Sequence, residues 1–138
     1  MITWLAVFTG GGIGSLLRYG LSRLVLALGV KGAFPWATLA ANVLATALLA
    51  WMVLRMQATV ADRPALRAFI GVGICGGFST FSTFSYENFL LYREGHPGWA
   101  IANILVNVLA CLAVFHFLAR SSLCPPVRSH CSSRSRPS

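Results

Sequence analysis

Four apolar stretches, each long enough to cross a bilayer and separated by short polar connections, limit what this chain can fold into. A hydrocarbon core about 30 Å thick takes roughly 20 apolar residues of helix. The first stretch runs from Ile2 to Leu28, with Arg18 and Arg23 inside it, and the second from Pro35 to Met56. The third covers Leu66 to Tyr92 and the fourth Trp99 to Ala119. In lipid the backbone must satisfy its own N–H and C=O groups, so runs of this length are read as helices. The predicted class is an all-α membrane protein with four transmembrane helices. Composition agrees: 57% of residues are hydrophobic and 10% charged, whereas soluble domains carry about 25% charged residues.

The connections GVKGAF, QATVADRP and REGHPG hold the glycines, prolines and charges of turns. Trp4, Trp36, Trp51 and Trp99 fall near segment ends, where an aromatic belt sits. MITWLAVFTGGGIGSLLRYG has neither a basic leading region nor a small-residue cleavage pattern, and reads as a retained helix. After Arg120 the character changes. SSLCPPVRSHCSSRSRPS buries too little apolar surface to fold, so one membrane domain is expected over residues 1–120 and a disordered basic tail over 121–138, read as a solvated extension in preference to one held on anionic headgroups.

The net charge of +8 comes from loops and tail rather than from one basic face, which argues against nucleic acid as a partner. Arg55, Arg63, Arg67 and Arg120 fall on one side of a four-helix arrangement, and Arg23, Lys31 and Arg93 on the other. So small a bias permits insertion in both orientations, and the tail draws both termini to the cytoplasm. Cys75, Cys111, Cys124 and Cys131 form no CxxC pair and no zinc-ligand spacing.

An ionisable group inside a membrane helix is costly and therefore a functional candidate. Two stand out, Arg18 and Glu87. Arg18 follows GGGIGSLL, whose small residues let another helix approach closely; it either snorkels to the interface or serves a site. Glu87 lines an aqueous mouth, pairs with Arg18, or is an interfacial carboxylate. Asn42, with Thr38 four residues earlier on the same face, and the pair Asn103 and Asn107 in the fourth segment, are either interhelical glue or pore lining.

The third segment contains GGFSTFSTFS, Gly76 to Ser85. Phe78, Phe81 and Phe84 recur every three residues, which on an unbroken helix makes one stripe. Ser82, Thr83 and Ser85 put hydroxyl donors between rings whose edges carry partial positive charge. Such groups hold a small anion weakly, as conduction requires. Gly76 and Gly77 invite a break in mid-membrane, and the freed backbone carbonyls are ligands for a hard cation.

GGFSTFSTFSYE resembles the signature of the small fluoride channels, the Fluc or CrcB proteins. The likeness extends over about Met1 to Arg120, with GGGIGSLLRYGLS, WATLAANVL and GHPGWAIANILVNVL in fitting places. It implies an antiparallel, dual-topology homodimer in the cell's inner membrane with the third helix broken at its centre, passively exporting toxic cytoplasmic fluoride through two pores. It also implies that Phe81 and Phe84 contact fluoride and that Asn42 is the pore amide. Ser82, Thr83 and Glu87 would then form a polar track, and Asn103 a further pore-lining side chain. Gly76 and Ser79 would offer carbonyls to a structural sodium ion at the dimer centre, and Arg18 matches the family's first-helix arginine, with Thr38 beside the entrance. Phe78 and the run ATALLA after Asn42 depart from the family's smaller residues, and the tail has no counterpart there. The alternative, a small proton-coupled multidrug exporter of four helices, wants a carboxylate in its first helix, and no acid precedes Asp62. No nucleophile–base arrangement points to an enzyme.

Overall fold

Each apolar stretch forms helix, and the ends fall where the glycines and prolines dictate. The computed structural model describes residues 1–30, 32, 34–56 and 62–123. In chain order these are α1 (Ile2–Ala27), α2 (Trp36–Arg55), α3 (Pro64–Arg67), a π-helical stretch (Ala68–Ile74), α4 (Cys75–Phe78), α5 (Phe81–Arg93) and α6 (Pro97–Leu123). There is no strand among the described residues. Three helical spans, Trp36–Arg55, Pro64–Arg93 and Pro97–Ser122, are long and apolar enough to cross a membrane. With 26 residues α1 is of similar length; its glycine run and Arg18 lower its hydropathy. Ser121 and Ser122, expected in the tail, continue α6, and both hydroxyls donate to Leu118 O. The rest of that tail, from residue 124, lies outside the described residues, as do Lys31 and residues 57–61.

Turn chemistry joins α5 to α6. Gly95 stands at φ +82°, where a side chain costs about 1–2 kcal/mol. There the His96 N–H donates to Leu91 O at 2.9 Å and the Gly95 N–H to Tyr92 O at 3.2 Å, a Schellman cap. Pro97 then opens α6, where its missing N–H costs nothing. Gly95→Ala is expected to destabilise the protein by about 1 kcal/mol, read as a lower melting temperature in detergent with unchanged helix content.

α1 lies backbone to backbone against the π-helical stretch and α4. Gly10 and Gly14 are its buried residues. A Cβ on Gly73 would lie 2.8 Å from Gly10 Cα, and one on Gly77 would lie 2.5 Å from Gly11 O. The glycines thus set the spacing, as small residues do between membrane helices. α2 packs on α6 in the same direction: Phe34 stacks near Trp36 and Trp99 at one end, with centroids 4.7 and 6.2 Å away. At the other end Arg55 Nη2 donates to Ser121 O at 3.2 Å.

The distribution of polarity is opposite to that of a soluble protein. Trp4, Phe8, Leu16 and Phe117 are exposed, while Asn103 and Asn107 are 0% and 4% exposed. The apolar outside suits a lipid surrounding, and the inside holds amides that must find partners.

Between α4 and α5 the chain is extended at Ser79 (φ −91°, ψ 130°) and Thr80 (φ −131°, ψ 122°). These two residues separate Phe78 from the later rings. Phe78 is buried against Ala41, Ala45 and Leu21, whereas Phe81 and Phe84 sit on α5 with centroids 5.9 Å apart. The single three-ring stripe expected of a continuous helix is therefore corrected to one core ring and a separate pair.

A ring and amide cavity beside two extended residues

Because Phe81, Phe84 and Asn88 are three and four residues apart, they share one face of α5; Thr83 and Glu87 share another, next to the preceding extended Thr80. The two faces meet different neighbours.

The ring face borders an open cavity of about 320 Å³, lined by Asn42, Ser79, Thr80, Phe81, Phe84 and Asn107 together with Thr46, Cys111 and two aliphatic side chains. None of its lining residues is charged. Asn42 is brought there by α2: its Oδ1 accepts from Ser79 Oγ at 3.0 Å, and its Nδ2 donates to Asn107 Oδ1 at 3.0 Å. Asn107 Nδ2 donates to Asn103 Oδ1 at 2.7 Å and to Asn103 O at 3.0 Å. Asn103 Nδ2 donates to Asn88 Oδ1, and Asn88 Nδ2 to Phe84 O, at 3.0 and 2.8 Å. Every amide thus has partners, as burial demands.

The other face meets α1 and α2. Arg18 Nη1 donates to Thr80 Oγ1 at 3.1 Å and Thr83 Oγ1 at 2.9 Å, so Arg18 reaches one of the extended residues and the first turn of α5. Thr38 Oγ1 donates to Glu87 Oε1 at 2.7 Å. Arg18 Nε and Glu87 Oε2 are buried without a hydrogen-bond partner among the described residues.

Phe81, Phe84, Asn42 and Ser79 are thus brought together, and Thr83, Glu87, Arg18 and Thr38 form a second polar group alongside. Asn103 is fully buried behind Asn107 and does not line the cavity. Ser82 is exposed. Gly76 is exposed and shares a smaller pocket of about 210 Å³ with Ser79, Thr46 and Cys75. Sequence reasoning singled out neither Thr80 nor Asn88, and it left Asn107 between glue and pore. Asn88 lies four residues after Phe84, and that spacing was the available signal.

A family model described as CrcB-like protein, camphor resistance (CrcB), matches residues 5–118. A fluoride-specific ion channel FluC of Elusimicrobium minutum is 42% identical over 106 residues, which is 77% of this chain and 82% of the relative. One of Pyrococcus horikoshii is 46% identical over 103 residues, 75% of this chain and 81% of its own. Another, of Shewanella piezotolerans, is 43% identical over 112 residues, 81% and 89% of the two chains. A match over that length, on a chain with three helical spans able to cross a membrane, shows that the protein belongs to the CrcB-like family and is a multi-pass membrane protein.

Proposed function

We propose that this protein is a passive, fluoride-selective channel that lets cytoplasmic fluoride leave the cell. The observation that carries the reading is the uncharged cavity in which the Phe81 and Phe84 rings stand beside the Asn42 amide and Ser79. Fluoride must shed tightly held water to enter a narrow path. Ring edges and amide or hydroxyl donors replace that water without a fixed positive charge, so the ion is stabilised but not trapped. The relatives' names point to the same ion. An exporter's first-helix carboxylate is missing from α1, and the chemistry is conduction rather than catalysis.

Thr83, Glu87 and Thr38 extend this reading as a polar track, with Ser82 at its outer side. The unpartnered Arg18 Nε and Glu87 Oε2 support it, since a buried polar atom without a protein partner favours water or an ion nearby. Phe81 borders the cavity yet is 81% exposed within one chain, which supports a homodimer whose second copy covers the ring; the near-equal positive charge of the two sides supports an antiparallel arrangement. At the break Cys75 O is the last carbonyl paired, with Ser79 N, and those from Gly76 to Ser79 lose the helical N–H groups that would pair with them. This all-oxygen donor set fits a hard monovalent cation, and Gly76 and Ser79 of each copy would hold the sodium ion. When bound, the ion supplies a fixed charge that ties the broken ends together.

Liposomes loaded with fluoride test the proposal. The purified chain is expected to release fluoride at least about 10⁴ times faster than chloride, the order of discrimination expected where buried donors are matched to one ligand and not another. Equal rates for the two halides would sink it.

A further inference from the structure

A primary amide is nearly symmetric in shape, so only its hydrogen bonds decide whether Asn42 turns oxygen or nitrogen toward a neighbour. Two backbone carbonyls, which can only accept, fix that choice here. Asn103 O takes a proton from Asn107 Nδ2, which turns Asn107 Oδ1 toward Asn42. Phe84 O takes one from Asn88 Nδ2, which turns Asn88 Oδ1 toward Asn103 and leaves Asn103 Oδ1 for Asn107. Both anchors impose the same direction. Asn42 must then give an N–H to Asn107 and receive the Ser79 hydroxyl at its oxygen. Its second N–H has no partner among the described residues and belongs to a side chain that lines the ring cavity.

We propose that Asn107, Asn103 and Asn88 are positioning residues, a one-way amide relay that holds Asn42 with its free N–H available to the anion and its oxygen turned away. The inference rests on the channel reading above. Were Asn42 inverted, its oxygen would replace the donor and repel fluoride. Asn103 is fully buried; Asn107 borders the cavity, but its N–H groups are spent on Asn103 and its oxygen on Asn42, so the relay acts through Asn42 rather than by touching the ion.

The test is a double-mutant cycle in liposomes. Asn107→Leu should slow fluoride release about tenfold, the scale of one hydrogen bond to a charged partner. In an Asn42→Ala background the same change should have no further effect, because it acts only through that amide. Losses that multiply would mean independent packing roles and would overturn the relay. Asn88→Leu, at the half-buried end, runs the same cycle should Asn107→Leu not reach the membrane; unchanged fluoride release in folded Asn88→Leu likewise overturns the proposal. Side-chain amide nitrogen resonances give a readout apart from flux. The Asn42 amide signals should shift on adding fluoride to the wild type and lose that response in the relay variants; a response kept in both variants counts against the relay. A wild type releasing both halides equally would remove the channel reading itself, a failure distinct from a multiplying cycle.

Discussion

Gly14→Ala is expected to lower the yield of folded protein several-fold, while Gly12→Ala, two residues away, leaves the yield unchanged or higher. Gly14 faces the third segment, where an added Cβ would lie 2.9 Å from Phe78 N and closer still to Ile74 O. Both are backbone atoms, so no side-chain rotation relieves the clash and α1 must move off α4. Overpacking of this kind costs about 3 kcal/mol, against a total stability of about 5–15 kcal/mol. At Gly12 nothing lies within 4 Å of the added carbon. There only the helix propensity counts, and alanine gains about 1 kcal/mol over glycine. Detergent-extracted yield and melting temperature of the two variants measure the contrast. Equal losses at both positions would show that the glycines serve flexibility rather than close approach.

The helices were legible because hydrocarbon leaves the backbone little choice. The apolar runs Pro35–Met56 and Leu66–Tyr92 became helical over Trp36–Arg55 and, with two extended residues inside, Pro64–Arg93. The small-residue face of α1 was legible too, since only glycine allows that spacing. The parts of the site that follow from residue type, the rings at Phe81 and Phe84 and the amide at Asn42, lie at one cavity. What could not be read was phase and partnership. Counting every third residue placed Phe78 with the later rings, but two residues in extended conformation reset the helical phase and sent Phe78 into the core. Spacing along α6 put Asn103 and Asn107 on one face, yet not which of them meets Asn42; that depends on the register of α2 against α6. Arg18 is 62 residues from Thr80, and nothing local tells a snorkelling arginine from one that bonds to a distant threonine.

Phe84→Ile and Phe81→Ile are each expected to lower fluoride release by about tenfold or more while chloride release stays at its low level. Isoleucine keeps most of the apolar volume, so the cavity is not opened to larger halides and packing changes little. It lacks the positive ring edge, which is the part of phenylalanine that attracts an anion. A tenfold loss corresponds to about 1.4 kcal/mol, within the upper range of aromatic contacts of this kind. The two rings lie 5.9 Å apart and inclined at 44°, close enough for one small ion to pass from one edge to the next. Phe84 is the more enclosed of the two, since Phe81 is 81% exposed within the single chain. Losing Phe84 is therefore expected to act on the path directly, and losing Phe81 to act through a second copy if, as proposed, one covers it. Dilution of liposomes until each carries one chain at most separates the two roles. Fluoride release by the wild type should disappear there if the ring needs a partner, and persist in proportion to protein if one chain conducts alone. Isoleucine variants that pass fluoride at the wild-type rate would show that hydroxyl and amide donors suffice, and would remove the rings from the mechanism.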